Sequence, residues 1–337
     1  EKLAAELGNG CAAFTGVADF VVADVEAYRN IVAELTEFLA SHSRLRIPAW
    51  ICETPLSLEP LVGVELTVHP LAMAASFAPA QVTHFASRYR SACRDLAVDQ
   101  ILGPSLAVDV QAGRFSAGAD AYLAGRMAVA FLRGMRGDSP ADCVLACAGG
   151  FVAQSLQAAE PGSADSDKIR VRIGRRELRE VYAEPYAAAI REAGLAAVVV
   201  ADLTIDGVPT VGAREVLGDL LRDNLGYRGL VISVEGGIRN LVERHRVAGD
   251  LSEAAIAALT AGTDIDLTDS CFREELPVAV ADGSVSEETL DRAVRRVLQC
   301  KLQSGLFDRA AVADAGEVTE QSTLTPPFEA SAASLHE

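Results

Sequence analysis

Short apolar runs alternate with longer amphipathic stretches along almost the whole chain. The runs predict strands over 46–52, 99–106, 142–147, 168–173, 196–201, 229–234 and 263–267, with a weaker candidate near 13–22. The stretches between them predict helices over 24–41, 79–96, 119–136, 175–193, 212–224, 251–261 and 285–304. Strands that alternate with helices pair in parallel, and nearly continuous apolar strands are buried on both faces. We therefore predict an α/β fold, a TIM-like (β/α)8 barrel in a single domain over 1–310.

The last predicted helix and the segment that follows it differ in composition. Ser286 precedes acidic residues and basic residues follow later, an arrangement that predicts a capped helix over 285–304. Beyond it, 311–337 is rich in Ala, Ser, Thr, Glu and Pro and has no periodicity. This composition predicts a flexible or surface-draped C-terminal tail.

The charge balance restricts the partners of the chain. Thirty basic and 47 acidic residues give a net charge of −17, which repels nucleic acid. No run of 18 apolar residues occurs, and the first residues lack the layout of a signal peptide, so we expect a cytoplasmic protein without membrane contact. Arginine greatly outnumbers lysine and alanine is abundant, which suggests a GC-rich, actinobacterial source and makes secondary metabolism plausible as a context.

The cysteines and histidines give no metal motif. The seven cysteines are an odd number without a CxxC pair, which is typical of buried free thiols in a reducing compartment. HxH, HxxxH, HExxH and DxDxDG are all absent from the sequence, as are GxGxxG and GxxxxGK. We therefore predict no metal and no cofactor.

Five segments occur in the order and spacing of a known enzyme family. The most specific is IDGVPTVGAREVLGDLLRDNLGYRGLVISVEGGI at 205–238. TVHPLAMAASFAPAQV, REVYAEPYAAAIREAGLAAVVVAD, HRVAGDLSEAAIAALTAGTDIDL and the stretch AVADGSVSEETLDRAVRRVLQCKLQSGLFD agree as well. From about 44 to 308 the chain resembles the barrel domain of glycoside hydrolase family 3, which includes β-glucosidases and β-N-acetylhexosaminidases. The resemblance implies the (β/α)8 barrel.

The resemblance also implies a reaction, for which this chain lacks the reacting group. Members of the family are retaining glycosidases, in which an aspartate attacks the anomeric carbon and a second acid protonates the leaving oxygen. That aspartate follows the serine of the motif GFxGxVxSD. Here Ser233 is followed by Val234, which cannot form a glycosyl ester.

Other motifs that read the sugar in the family have changed too. The Lys-His pair of KHF(x)GxG is replaced by Gly149 and Gly150, and the aspartate of APVxD by Ala107. The loop RDPRWGR is shortened and leaves Arg114 as its one match. The Asp-Ser-His loop of one branch becomes 165–167, Asp-Ser-Asp, without the histidine. The scaffold motifs are present, whereas the sugar-binding motifs are not.

Two acids at strand ends are the candidate catalytic residues. Glu235 lies one residue past Val234, and two glycines follow that allow the loop to redirect its side chain. Asp202 ends another predicted strand in place of an aromatic residue, where burial would raise its pKa and make it a proton donor. A solvated loop acid and a surface acid remain the respective alternatives.

The remaining candidates lie at strand ends because the site of a barrel forms there. The predicted mouth holds carboxylates but no cluster of His, Lys or Arg, which argues against anionic ligands. We expect Asp206, Asp264 and His245 to serve structural roles. The predicted substrate-binding residues are Glu53, Asp109, Arg114, Gly149, Gly150, Ser233, Val234 and Asp266.

Three functions remain open. The first is a repurposed, non-hydrolytic enzyme that uses Glu235 and Asp202 for general acid/base chemistry such as elimination, cyclisation or rearrangement of a small secondary metabolite. The second is a pseudoenzyme that binds a ligand or a partner subunit. The third is a residual glycosidase with displaced carboxylates. Partners are expected to be a small-molecule substrate and either a second copy of the chain or another subunit.

Overall fold

The computed structural model describes residues 7–21, 24–62, 69–108, 118–157 and 170–309. The predicted tail at 311–337 lies outside these ranges, and its conformation stays a prediction. Within these ranges no helix is both long and apolar enough to cross a membrane.

A curled parallel sheet forms the centre of the fold. Its six strands lie in the spatial order β1, β2, β3, β4, β6, β9, and every neighbouring pair is parallel. A further parallel bridge joins Ile232 to Ile265 and extends the sheet beyond β9. The strands are β1 (Ala13–Thr15), β2 (Trp50–Glu53), β3 (Gln100–Ile101), β4 (Leu145–Phe151), β6 (Ala197–Val200) and β9 (Leu230–Ile232).

Alternate residues of the strands face two separate cores, as expected for a closed sheet. The inner cluster contains Trp50, Leu145 and Ile232, and Ile265 packs against it. The intervening residues pack against the surrounding helices in a second, larger cluster. The seven cysteines are free thiols, and all except Cys11 are buried, as predicted. These two clusters lie on the inner and outer faces of the curled sheet, as expected for a barrel wall covered by helices.

One predicted barrel strand is wrong. In the described part of this stretch, 170–173, the structure forms β5 (Arg170–Val171), which belongs to a separate sheet with β7 (Thr204–Ile205) and β8 (Val208–Pro209). The physical reason is the alternation of arginine with aliphatic residues, which produces one buried and one solvated face. Val171 is buried, while Arg170 and Arg172 are exposed. This small sheet follows β4 and β6 at their carboxyl ends.

The helices agree closely with the amphipathic stretches. The Ser286 side chain accepts a hydrogen bond from the Thr289 amide at the start of the last helix, which confirms the predicted cap. The predicted helix over 175–193 includes a π-helical segment, Leu178–Tyr182, and 212–224 is largely the π-helix Glu215–Asn224. The α-helices are α1 (Val17–Phe20), α2 (Val25–His42), α3 (Pro55–Val62), α4 (Pro70–Ala75), α5 (Pro79–Asp95), α6 (Ala121–Arg136), α7 (Arg175–Glu177), α8 (Glu184–Ala193), α9 (Asn240–Glu243), α10 (Leu251–Ala261), α11 (Cys271–Ala281) and α12 (Glu287–Gln303).

Candidate functional site

A cavity of about 480 Å³ lies between the small sheet and the loop that follows α9. Three arginines from these two segments line it, namely Arg170, Arg172 and Arg244. The expectation that the site lacks a basic cluster is therefore wrong for this cavity. Sequence patterns do not predict this cluster because Arg244 lies more than seventy positions from β5. The one local sign of it is the alternation of Arg170 and Arg172 with aliphatic residues. The other lining residues are Val171, Thr204, Asp206, Gly207 and His245.

Asp202 binds three side chains on the wall of this cavity. Its Oδ2 accepts hydrogen bonds from Asn240 Nδ2 at 2.8 Å and from Arg244 Nη1 at 3.0 Å. Its Oδ1 lies 2.6 Å from Nε2 of His245. Three donors on one carboxylate fix the end of β6 to α9 and to the residues that follow it.

The protonation of Asp202 differs from the prediction. Burial raises the pKa of this carboxyl, but the interactions with His245, Arg244 and Asn240 lower it below its usual value. The predicted proton donor is therefore an ionised acceptor at neutral pH. The sequence prediction considered burial but could not include partners 38 to 43 residues away.

The ionised carboxylate determines the tautomer of His245. A carboxylate only accepts hydrogen bonds, so Nε2 of His245 must carry the proton in the 2.6 Å contact. In the neutral ring Nδ1 then holds a lone pair. The imidazole side chain is 1% exposed, and its Nδ1 has no hydrogen-bond partner within the described ranges. A buried nitrogen without a partner is a site where a ligand group gains a hydrogen bond.

The comparisons with known proteins identify the scaffold. The family model described as "Glycosyl hydrolase family 3 N terminal domain" matches residues 14–300. The chain belongs to glycoside hydrolase family 3. A β-xylosidase of Formosa agariphila is 32% identical over 82% of this chain and 40% of its own length. A periplasmic β-glucosidase of Salmonella typhimurium is 31% identical over 83% of this chain and 36% of its own.

Solved structures of glycosidases share the fold of this family 3 barrel. A β-glucosidase from Erythrobacter marinus superimposes with a TM-score of 0.78 at 27% identity, over 92% of this chain and 42% of that one. A mutant β-glucosidase from Listeria innocua in complex with laminaribiose gives a TM-score of 0.72 at 26% identity, over 85% of this chain and 39% of that one. The chain thus spans about 40% of the length of these relatives, and the TIM-like barrel is confirmed.

Val234 and Gly149, two of the residues that the sequence resemblance singles out, lie near the carboxyl ends of β9 and β4. Val234 continues the alternation of Leu230 and Ile232, two residues of the inner core, and is half-buried. Gly149 continues the inner row of Cys147 on β4. Val234 and Gly149 therefore present a valine and no side chain on the inner face of this barrel, and their correspondence to the family's catalytic and sugar-binding positions stays a prediction.

Gly150 is fixed by its surroundings. Its φ of 79° favours glycine, and a Cβ atom there would collide with Oε1 of Gln154. By contrast, a Cβ at Gly149 would meet no atom closer than 3.8 Å. A side chain could return at Gly149 without strain, whereas one at Gly150 requires both backbone and Gln154 to move.

The second catalytic candidate, Glu235, is exposed and makes no side-chain hydrogen bond to any other described residue. Its neighbour Gly236 lies against Asn240, because a Cβ there would be 3.7 Å from Nδ2 of that side chain. Asn240 also binds Asp202. The structure thus brings the loop of Glu235 to the Asp202 cluster, while the roles of both acids stay predictions.

Three predicted substrate-binding residues make internal hydrogen bonds. Oε1 of Glu53 accepts from Tyr28 at 3.2 Å, and the side chain is fully buried. Ser233 Oγ accepts from the Leu267 amide at 2.9 Å, and Asp266 accepts from the Phe272 amide at 3.0 Å at the start of α11. These contacts support structural roles for the three residues, and their binding of substrate stays a prediction.

Other predicted residues cannot be located in this way. Asp109, Arg114 and the 165–167 loop lie outside the described residues. Asp264 forms ion pairs with Arg222 and Arg296, in agreement with its predicted structural role.

Proposed function

We propose that this family 3 barrel does not catalyse retaining glycoside hydrolysis and instead performs general acid/base chemistry on a small substrate in the cavity beside Asp202. The 2.6 Å contact between Asp202 and His245 carries the proposal. A secondary metabolite remains the proposed substrate, which rests on the composition of the chain.

The absence of a nucleophile supports the loss of retaining hydrolysis. The reaction needs two carboxyl groups about 5 Å apart, one of which forms the covalent intermediate. Val234 stands at the position of that carboxylate, and Gly149 and Gly150 stand where the family binds sugar hydroxyls.

The Asp202–His245 pair supplies the elements of proton transfer. With Nε2 held by the carboxylate, the lone pair of Nδ1 can accept a proton from a substrate. The negative charge of Asp202 then stabilises the imidazolium, as in other carboxylate–histidine pairs. A positioned base of this kind contributes about 10²–10⁴-fold to a rate.

A second candidate is a barrel that binds a ligand without converting it. The exposed Glu235, which no described residue orients, favours this alternative because acid/base catalysis on two sides of a substrate needs a second positioned group. A residual glycosidase that uses Glu235 is the third candidate.

We expect no hydrolysis of aryl β-glucosides, β-xylosides or N-acetylglucosaminides above the blank rate, because Val234 supplies no carboxylate at the position expected for the nucleophile. Release of nitrophenol measures this directly, with a family 3 β-glucosidase as the positive control. Hydrolysis that disappears in Glu235→Gln would contradict the proposal and establish the residual glycosidase.

Replacement of His245 by glutamine tests the proton transfer. The glutamine Nε2 can still donate to Asp202, but it offers no basic nitrogen, so the fold is retained and the base is lost. We expect wild-type protein to convert, or exchange deuterium into, one component of a small-metabolite extract in D2O. The rate in H245Q should fall by about 10²-fold or more.

Mass spectrometry of the extract gives the readout, and His84→Gln, at an exposed site on α5, is the matched control. Stable binding of an extract component that wild type and H245Q leave equally unchanged would favour the non-catalytic candidate.

A further inference from the structure

We propose that the cavity holds the carboxylate or phosphate group of a small organic anion between Arg170, Arg172 and Arg244. The identification of this anion as the substrate rests on the proposed function, whereas its binding does not. The proposal replaces the expectation that the acidic chain excludes anions from its site.

Arg170 of β5 and Arg172 just after it place two positive charges on the lining of the cavity. Arg170 and Arg172 are two residues apart and therefore lie on the same face of the strand. Neither has an ion-pair partner in the described part of the chain. The next two arginines along the chain differ, because Arg175 pairs with Glu215 and Arg176 with Glu180. Arg170 and Arg172 thus bring two guanidinium groups without an acidic partner among the described residues to the lining of the cavity.

Arg244 completes the cluster from the opposite side. One of its nitrogens, Nη1, is bound to Asp202 at 3.0 Å, and this contact holds the guanidinium in place. A guanidinium has five N–H donors, so donors remain for a ligand. Asp206 also lines the cavity, and together with Asp202 it offsets two of the three positive charges.

His245 adds an independent indication of a ligand. This side chain is almost completely buried on the cavity wall, and Nδ1 has no partner among the described residues. An organic anion that is held by the arginines would place a further polar group against Nδ1 of His245. The volume of about 480 Å³ falls in the range that accommodates a small molecule.

Equilibrium dialysis with radiolabelled inorganic phosphate and radiolabelled succinate tests the proposal. We expect wild-type protein to bind at least one of the two anions. The double variant Arg170→Gln/Arg172→Gln should bind it about tenfold more weakly or worse, because two charge-assisted contacts are lost. Preference for phosphate or for succinate identifies the group that the cavity accepts.

The double variant Arg175→Gln/Arg176→Gln is the matched control. It removes the same charge from exposed positions of the adjoining helix, where the side chains are 87% and 88% exposed. We expect its affinity to equal that of wild type, and thermal unfolding verifies that both variants are folded. Equal losses in the two variants would reduce the effect to net charge and overturn the proposal, as would a wild type that binds neither anion.

The same variants separate this inference from the proposed function. Anion binding that depends on Arg170 and Arg172, together with equal extract conversion by wild type and H245Q, would refute the catalytic role and leave the anion site intact. The reverse pattern would refute the anion site alone.

Discussion

Replacement of Asp264 by alanine is expected to lower the free energy of unfolding by about 3–5 kcal/mol, the cost of leaving a buried charge without its partner. The Asp264 side chain is fully buried and lies 2.8 Å from Arg222 and 2.6 Å from Arg296. It also accepts a hydrogen bond from the Val231 amide of β9. The alanine would leave both guanidinium groups and this amide without their acceptor.

Urea unfolding of the purified variant measures this loss. The matched control is Glu288→Ala on α12, which breaks an ion pair whose side chains are 81% and 50% exposed. Exposed pairs contribute less than about 1 kcal/mol, so the control should unfold close to wild type. Similar unfolding midpoints for the two variants would contradict a stabilising role for the ion pairs of Asp264 with Arg222 and Arg296.

Stability is expected to fall by about 3 kcal/mol as the pH rises through the titration of Glu53, since each pKa unit corresponds to about 1.4 kcal/mol. Burial raises the pKa of Glu53 from 4.5 to about 7, against the opposing effect of hydrogen bonds from Ala18 and Tyr28. Between these two values the unfolded chain releases a proton that the folded chain retains. The stabilisation is therefore complete below 4.5 and is lost as the pH approaches 7.

Glu53→Gln should remove this dependence. The amide oxygen can accept the same hydrogen bonds from Ala18 and Tyr28, and no charge can form at the buried side chain. Urea unfolding at about pH 5 and about pH 8 should show a smaller difference for E53Q than for wild type. Glu34→Gln, at an exposed position of α2, is the control for a general change of charge. An unchanged pH difference in E53Q would contradict the assignment to Glu53.

The elements that sequence patterns predicted best are those with local causes. The cap at Ser286 needs only the Thr289 amide three residues away, and it is present. The barrel strands follow from short apolar runs, which are buried in the compact fold whatever their partners along the chain. The prediction of a barrel strand at 168–173 was wrong because an alternating strand fits a small three-stranded sheet as well as a barrel, and the pattern does not distinguish the two.

The candidate site was predicted less completely because its contacts are distant in sequence. Asp202 was identified as a strand-end acid, but its partners Asn240, Arg244 and His245 belong to another segment. Their combined charges and hydrogen bonds reverse the direction of its pKa shift. Glu53 accepts a hydrogen bond from Tyr28, a contact that its strand-end position did not predict, and its role in substrate binding stays a prediction.

The sequence by itself determined the family 3 barrel and is the basis for the predicted loss of its nucleophile. Ordered motifs and the identity of residue 234 are properties of the chain that no arrangement in space can alter. The tertiary structure alone decided which charges meet. In the folded chain Arg170 and Arg172 lie with Arg244 around one cavity, and the ionised Asp202 contacts His245. Electrostatic interactions depend on distance and burial rather than on position along the chain, and these are set only when the strands and loops pack.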